Sequence, residues 1–454
     1  MKSFILLLFI AIFSKLRNSI NLINDRMNRR YIIYCLLFLL LCNASFGQKL
    51  SSAQQIADFD TLCTNLECVH PDLYLYQSRK EYENNKAQIK ASLTDSISIS
   101  DFYLKIAPFM AKIKDGHSMM LPPITKALIA YAKKDGNTMP LRIKASGDFF
   151  IVEYPVIDNS GVCEGDTILG INGIRSKDIL ERMYSFWGSE KGNGIKEGSV
   201  NAYWSPLLWY MYRWGESYDF TVKRGDKMEE IRLEGVPQSM ALKVIKERQS
   251  KKKLESFSCS FSSDFTKATL TIRNVFQEAE LKVFCDSVFK EIHRRKIKDI
   301  TIDLRNNTGG SSKCVERLIS YFPHPDYSLY SESQLKVSSY SKIYNRGRHP
   351  EIYSQIFNLP DREFFVIKDI PVKSNLKEVN LYHGKTTILV NNKTYSGAST
   401  LAHTMKKLGI ASVEGETGCP DVYFGNSLHF TLPNSKIDYY ISLSKFYEST
   451  QLTK

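Results

Sequence analysis

Apolar residues recur at intervals of three and four positions in the part of the chain that follows residue 50. This period is typical of an amphipathic helix. The residues that show it are Ile56, Phe59, Leu62, Leu66 and Val69. Pro71 predicts the end of this helix, because proline disfavours helical backbone in the residue before it. Similar patterns predict helices over residues 80–92 and 100–113, with Ser98 or Ser100 as the cap of the latter. We therefore expect residues 48–125 to form an N-terminal helical region.

A different pattern occupies residues 137–236. Short apolar runs rich in β-branched and aromatic residues alternate with turns there, and this pattern favours strands. The runs lie at 141–143, 149–152, 220–222 and 231–233. The sequence therefore predicts a β-rich domain, in which the aromatic stretch 204–214 belongs either to the core or to an apolar contact surface.

Predicted strands alternate with predicted helices from residue 255 onward. The strands lie at 268–272, 298–304 and 387–390, and helices are predicted over 278–294 and 312–321. This alternation predicts an α/β fold with a mainly parallel sheet. Ligands of such sheets bind beyond the carboxyl ends of the strands. The Gly309–Gly310 turn and Ser396 each follow a predicted strand, so we expect both at that edge.

Ser396 stands between a predicted strand and a helix that is marked by Leu401, Met405 and Leu408. The first turn of a helix has free N–H groups, which can hold a developing negative charge. A serine in this place is a candidate nucleophile if a base can reach it. The alternative is that its hydroxyl caps the helix, as serines often do.

A base and an anion-binding turn can be proposed from two other stretches. Asp115-Gly116 predicts a turn directly before His117, and histidine is the side chain best suited to general-base catalysis near neutral pH. The alternative for His117 is an ordinary surface or hydrogen-bonded histidine. The Gly309–Gly310 turn lacks the Lys-Ser/Thr ending of a P-loop, and its backbone suits an oxyanion hole.

The first 47 residues predict a leader rather than a folded domain. Apolar runs cover 4–13 and 31–42, and the second has a basic start and small residues before Gln48, as in a secretory signal. Translation starting at Met27 would give this signal directly. We expect export to the periplasm, the cell envelope or the medium. A retained N-terminal anchor, and hence peripheral or anchored membrane association, is the alternative.

Composition narrows the classes of function. The chain has 454 residues, 43% hydrophobic and 24% charged, with a formal net charge of +13 that is spread along its length. No arginine-rich block interleaves with aromatic residues, so nucleic acid is not an expected partner. Seven of the nine cysteines lie beyond the leader and are scattered, which argues against a disulfide framework. Cys63 and Cys68 either pair or occupy two buried helix positions. No cysteine–histidine spacing suits zinc, and the sequence indicates no metal or organic cofactor.

Residues 161–173, Gly-Val-Cys-Glu-Gly-Asp-Thr-Ile-Leu-Gly-Ile-Asn-Gly, resemble the signature of PDZ domains. The resemblance implies binding of an extended peptide, often a free C-terminus, as a strand added to a sheet edge. The alternative is a β-rich domain that only separates the other two parts of the chain.

Four motifs in order carry a wider resemblance. They are Asp115-Gly116-His117, the PDZ-like stretch, the Asp-Leu-Arg-Asn-Asn-x-Gly-Gly run at 303–310, and Ser396-Gly397-Ala398 followed by Gly415-Glu416-Thr417-Gly418. Together they resemble the tail-specific (C-terminal-processing) serine peptidase family, whose relatives include the tricorn core protease. The resemblance implies an α/β, crotonase-like (ClpP/crotonase) catalytic core over 255–454, with an N-terminal helical region and an inserted PDZ-like domain.

One variant of that family uses a Ser–Lys dyad, but no lysine lies between Lys407 and Lys436. The chain is more similar to the tricorn-like variant, which uses a histidine. The resemblance then implies that Ser396 is the nucleophile, that His117 is the base, and that the oxyanion hole is formed by Gly397 with Gly309 or Gly310. The candidates for orienting the histidine are Glu416, Ser118, Ser399 and Glu448, whereas His403 is expected to pack.

The expected function is an exported serine endopeptidase that hydrolyses extended or C-terminal polypeptide segments. A catalytically inactive ligand- or peptide-binding protein of the same fold is the alternative, because relatives of the family include the retinoid-carrying modules of interphotoreceptor retinol-binding protein. A PDZ-type scaffold is a third hypothesis. The joint presence of Ser396, His117 and the Gly309–Gly310 turn favours the enzyme.

Overall fold

The computed structural model describes residues 49–250, 255–368 and 370–448. The predicted leader, residues 1–47, lies outside the described residues. Within those ranges every helix is too short or too polar to cross a bilayer.

The N-terminal region is helical, as predicted, with short strands between the helices. Its elements are β1 (Lys49–Leu50), α1 (Ser52–Val69), α2 (Arg79–Ala91), β2 (Ile97–Ser98), α3 (Ile99–Ala111), β3 (Met119–Met120) and α4 (Lys126–Lys133). A capping box at Ser51 starts α1, and the Ser98 hydroxyl accepts the Asp101 N–H at the start of α3. His70, directly before Pro71, ends α1.

The middle region is β-rich, as predicted. Its elements are β4 (Asn137–Thr138), β5 (Leu141–Ser146), β6 (Phe149–Pro155), β7 (Thr167–Ile171), β8 (Ile174–Arg175), α5 (Ser176–Tyr184), α6 (Gly194–Tyr212), β9 (Ser217–Arg224), β10 (Lys227–Glu234), β11 (Val236–Pro237) and α7 (Gln238–Ser250). An antiparallel sheet of order β10-β9-β7-β6-β5, with β8 beside β7, forms its centre. Trp204 and Tyr210 of α6 are buried, so much of the aromatic stretch belongs to the core.

The last region contains two sheets. Its elements are β12 (Phe257–Phe261), β13 (Lys267–Ile272), α8 (Glu278–Arg295), β14 (Asp299–Asp303), α9 (Ser312–Ile319), β15 (Tyr330–Lys336), α10 (Ser339–Arg348), α11 (Pro350–Ile356), β16 (Phe364–Lys368), β17 (Lys385–Leu389), α12 (Gly397–Lys407), β18 (Ser412–Glu414), β19 (Val422–Thr431) and β20 (Asp438–Glu448). The sheet β12-β13-β14-β17-β18 is parallel except for β12, which confirms the predicted α/β fold. The other sheet, β16-β15-β20-β19, is antiparallel.

Strand pairing brings three turns of the chain together. The parallel strands β14 and β17 are neighbours, so the turns that follow them meet at one sheet edge. The N-terminal strand β3 pairs with β20, with Met120 opposite Tyr439. Since residues 114–118 directly precede β3, this pairing carries the His117 turn to the last region.

Candidate active site

Ser396 adopts a backbone conformation that is rare for a residue with a side chain. Its φ is 50° and its ψ is −132°, directly before α12, and its hydroxyl makes no capping hydrogen bond to the helix. Non-glycine residues with positive φ are strained and cluster at functional sites. A serine on such a sharp strand-to-helix turn is the arrangement of a nucleophile elbow. The capping alternative is therefore wrong for this serine.

A buried asparagine, Asn307, holds the turn that carries Ser396. The Tyr395 N–H donates to the Asn307 carbonyl at 3.0 Å, and the Asn307 amide donates to the Ile272 carbonyl at 2.9 Å. Thr394 adds a hydrogen bond from its hydroxyl to the Leu304 carbonyl at 2.9 Å. Because Asn307 is fully buried, it links the ends of β13 and β14 to the segment that carries Ser396.

The Gly309–Gly310 turn lies against Ser396 because it has no side chains. A Cβ atom on Gly309, whose φ is +100°, would lie 2.7 Å from the Ser396 Cβ, and one on Gly397 would lie 3.2 Å from the Gly310 nitrogen. The Gly309 N–H already donates to the Asn307 amide oxygen at 2.9 Å. Among the described residues, the N–H groups of Gly310 and Gly397 donate to no acceptor. These two groups are the donors available for an oxyanion.

His117 lies on the turn before β3 and stacks on the residue next to Ser396. Its ring centroid is 4.9 Å from that of Tyr395, at an interplanar angle of 28°. Its N–H donates to Asp115 Oδ1 at 2.7 Å, and its carbonyl accepts the Ser427 hydroxyl at 2.8 Å. Burial lowers the pKa of His117 below its usual value, although Asp115 opposes the shift. The imidazole is therefore neutral at pH 7, as a general base must be.

Asp115 is the buried anchor of this turn. Its carboxylate pairs with His70 Nε2 at 3.1 Å and accepts the Ser118 hydroxyl at 2.5 Å. Burial alone would raise the pKa of Asp115, but the hydrogen bond and charge of His70 outweigh it and lower the value to about 2. The candidate orienter Ser118 thus bonds to Asp115 rather than to the imidazole, and its oxygen accepts the Ser442 N–H at 2.9 Å.

Glu190 joins the site from the loop between α5 and α6. One of its oxygens, Oε2, accepts the Tyr395 hydroxyl at 2.5 Å and the Gly116 N–H at 3.1 Å. Burial, followed by the charge of Asp115, raises the pKa of Glu190 to about 7. No motif marks this residue, so the sequence offers no signal for it. Asp115 was predicted only as a turn former.

The other residues that were candidates for orienting the imidazole of His117 have different surroundings. The Glu416 side chain is 83% exposed and pairs with Lys191 at 3.3 Å. Ser399 is buried, and its hydroxyl has no hydrogen-bond partner among the described residues. Glu448 pairs with His403 Nδ1 at 2.5 Å, which gives His403 an ionic partner in place of the expected apolar packing. Burial lowers the pKa of His403, but Glu448 outweighs this effect, and the net shift is upward.

Cysteine pairing is absent from the part of the chain that the structure describes. Cys63 and Cys68 are both free, as are Cys163, Cys259, Cys285, Cys314 and Cys419. Cys63 is buried on α1 and Cys68 is partly buried there, which fits the two helix positions rather than a disulfide. Cys419 packs beside Tyr395 and Tyr423 near the elbow.

Comparisons with known proteins identify a matching family model and similar folds. Residues 269–447 match the model of Peptidase family S41. The structure of mature CPAF is similar with a TM-score of 0.60 and 12% identity, over 88% of this chain and 90% of that chain. Mature CPAF complexed with lactacystin gives a TM-score of 0.58 and 13% identity, over 87% and 90%. The photosystem II D1 C-terminal processing protease gives 0.42 and 12%, over 87% and 88%.

At this identity the likeness to CPAF shows the fold, and the D1 protease match adds no weight to it. No curated protein sequence matches the chain. The family match covers Gly309, Gly310 and Ser396. It begins at residue 269 and therefore includes neither the N-terminal region nor the β-rich insert. The positions of His117 and Glu190 are thus findings from the structure of this chain.

Proposed function

We propose, on the premise that residues 269–447 match the model of Peptidase family S41, that the chain is an exported serine endopeptidase with Ser396 as nucleophile and His117 as general base. The observation that supports this most strongly is the strained turn at Ser396, which packs against the Gly309–Gly310 turn. The neighbouring residue, Tyr395, stacks its ring on that of His117.

The proposed reaction proceeds by acyl transfer. The Ser396 hydroxyl oxygen attacks the substrate carbonyl while His117 accepts the hydroxyl proton. The N–H groups of Gly310 and Gly397 stabilise the oxyanion, assisted by the N-terminus of α12. His117 then gives its proton to the leaving amine. A water molecule, deprotonated by His117, attacks the acyl ester and releases the second product.

The substrate class follows from the family and from the insert. A peptidase of this family acts on polypeptides, and we propose that extended or C-terminal segments are cleaved. The sheet of the insert has two edge strands, β5 and β10, where an extended peptide can add as a further strand. Export rests on the leader, which lies outside the described residues, and stays a prediction from the sequence.

A fluorophosphonate probe tests the proposed nucleophile and base. Protein that begins at Gln48 is treated with the probe as wild type, Ser396→Ala and His117→Gln, with the exposed histidine variant His383→Gln as the matched control. We expect no labelling of Ser396→Ala and labelling of His117→Gln slower by roughly 100-fold or more. His383→Gln should react like the wild type.

Other outcomes contradict the proposal. Labelling that persists in Ser396→Ala places the nucleophile at another residue. Labelling that is equal in His117→Gln and wild type removes His117 as the base. A folded wild-type protein that does not react favours the inactive binding protein of the same fold.

A further inference from the structure

The loop between α5 and α6 joins the insert to both turns of the site. A Cβ atom on Gly188 would lie 2.7 Å from the Asp115 carbonyl oxygen, and one on Gly194 would lie 2.0 Å from the Asn392 carbonyl oxygen. Backbone atoms of residues 188–194 therefore touch the base turn at one end and the nucleophile segment at the other. Glu190 lies between these two contacts.

The carboxylate of Glu190 connects the residues that directly precede the base and the nucleophile. Its Oε2 accepts the N–H of Gly116, which precedes His117, and the hydroxyl of Tyr395, which precedes Ser396. The ring of the same tyrosine stacks on His117. Its other oxygen, Oε1, is buried and has no hydrogen-bond partner among the described residues. A buried oxygen without a partner is costly, so a purely structural role explains this side chain poorly.

We propose that Glu190 is a positioning residue of the Ser396–His117 site, which holds the two turns at their working separation and places a second carboxylate beside the imidazole. This inference rests on the proposed function. A carboxylate oxygen of Glu190, one of Asp115 and a ring nitrogen of His117 all lie within 4.8 Å of one another. When His117 accepts the Ser396 proton, two carboxylates then face the new positive charge, and opposite charges at this distance stabilise it.

The surroundings of Glu190 determine when that second charge is present. The titratable groups that lie close enough to Glu190 to interact with its charge are Tyr76, Asp115, His117, Tyr395 and Cys419. Burial and the negative charge of Asp115 raise the pKa of Glu190 to about 7, while the bonds from Tyr395 and Gly116 oppose that rise. Glu190 is therefore ionised above neutral pH, and this is where we expect Ser396 to react fastest.

The rate of fluorophosphonate labelling between pH 5 and 9 tests the proposal with wild type, Glu190→Gln and the control Glu181→Gln. Glu181 is an exposed glutamate of α5 on the same insert, next to Lys177. The glutamine at 190 can still accept both hydrogen bonds but carries no charge. We expect its maximal rate to fall about tenfold, and its acid limb to move to lower pH because only His117, with its lowered pKa, still titrates. Glu181→Gln should match the wild type.

Tyr395→Phe provides a second test that does not alter Glu190. It removes one donor that holds down the pKa of Glu190 and keeps the ring that stacks on His117. We expect the acid limb to move upward by about one pH unit. This variant decides the question if Glu190→Gln does not fold.

Each remaining outcome overturns one proposal separately. A uniform fall in rate at every pH, with an unmoved acid limb in Glu190→Gln or in a folded Tyr395→Phe, shows a merely structural role. Wild-type rates in Glu190→Gln reject any role of Glu190 in the site. Absence of labelling in the folded wild type contradicts the proposed function itself, and this result is distinct from the other two.

Discussion

Ser396 and Gly309 show how single residues set the geometry of this site. Ser396 has a positive φ although it carries a side chain, and Gly309 approaches it where no Cβ atom fits. The two conformations depend on each other, because the strained serine is held in place partly by the glycine turn against it. The sequence contains both residues in recognisable motifs, but their contact is visible only in the fold.

Gly309→Ala is predicted to displace Ser396. The added methyl would lie 2.7 Å from the Ser396 Cβ, and the alanine would have to adopt a φ of +100°. Since a displacement of about 1 Å in a reacting group can cost roughly 100-fold in rate, we expect fluorophosphonate labelling to slow by that order.

Gly347→Ala on α10, where an added Cβ meets nothing within 4 Å, is the matched control and should label at the wild-type rate. Circular dichroism confirms that both variants are folded. A Gly309→Ala protein with wild-type labelling would show that this close contact does not hold Ser396.

At the scale of elements, α6 connects the insert to the segment that carries Ser396. Its first residue, Gly194, lies against the Asn392 carbonyl, and Ile195 packs near Tyr395 and Tyr423. The helix then continues through the aromatic stretch into the core of the insert. This helix, which contains most of the aromatic stretch that the sequence assigns to a core or to a contact surface, therefore also supports the site.

Two glycine variants on α6 separate the contact of this helix with Asn392 from its contribution to the stability of the protein. Gly198 has open space around it, so Gly198→Ala should raise the free energy of unfolding by about 0.5–1 kcal/mol through a higher helix propensity and leave labelling unchanged. Gly194→Ala, at the first residue of the helix, must push Asn392 away, and we expect slower labelling and lower stability.

Urea unfolding followed by circular dichroism, together with the labelling rate, measures both effects. If Gly194→Ala behaves like Gly198→Ala, then α6 does not hold the segment that carries Ser396.

At the scale of the whole molecule, the N-terminal helices and the β-rich insert share a hydrophobic core. One buried cluster includes Phe59 and Tyr103 from the helices and Phe150 and Phe220 from the insert. Phe186, just after α5, contacts the ring of Tyr103 with a centroid distance of 5.7 Å. We expect these two parts to unfold together, although the sequence predicts them as separate regions.

Phe186→Ala is predicted to weaken both parts. Loss of this buried ring should lower the free energy of unfolding by about 3–5 kcal/mol. It should also speed amide hydrogen exchange in α3, which lies outside the insert. Phe149→Ala, at a partly exposed position of β6, is the control and should have a small effect. Unchanged protection of α3 in Phe186→Ala would show that the insert unfolds independently.

The sequence by itself predicted the α/β class and the resemblance to the family whose model matches residues 269–447. Hydrophobic period, caps and turn residues are local signals, so the helices ended close to the predicted positions, as at His70 and Pro71. Ser396, His117 and the Gly309–Gly310 turn became candidates because glycines, histidine and serine stand in short motifs. Even there, the donor assignment changed, since Asn307 uses the Gly309 N–H.

Only the tertiary structure decided which side chains surround those motifs. Glu190 and His70 come from segments distant from the Asp115-Gly116-His117 motif, and tertiary packing brings them into contact with Gly116 and Asp115. The partner of Glu448 is likewise His403, a choice that spacing along the chain does not encode. Burial, which moves the pKa of Glu190 upward and that of His117 downward, arises from the same packing and has no local signature in the sequence.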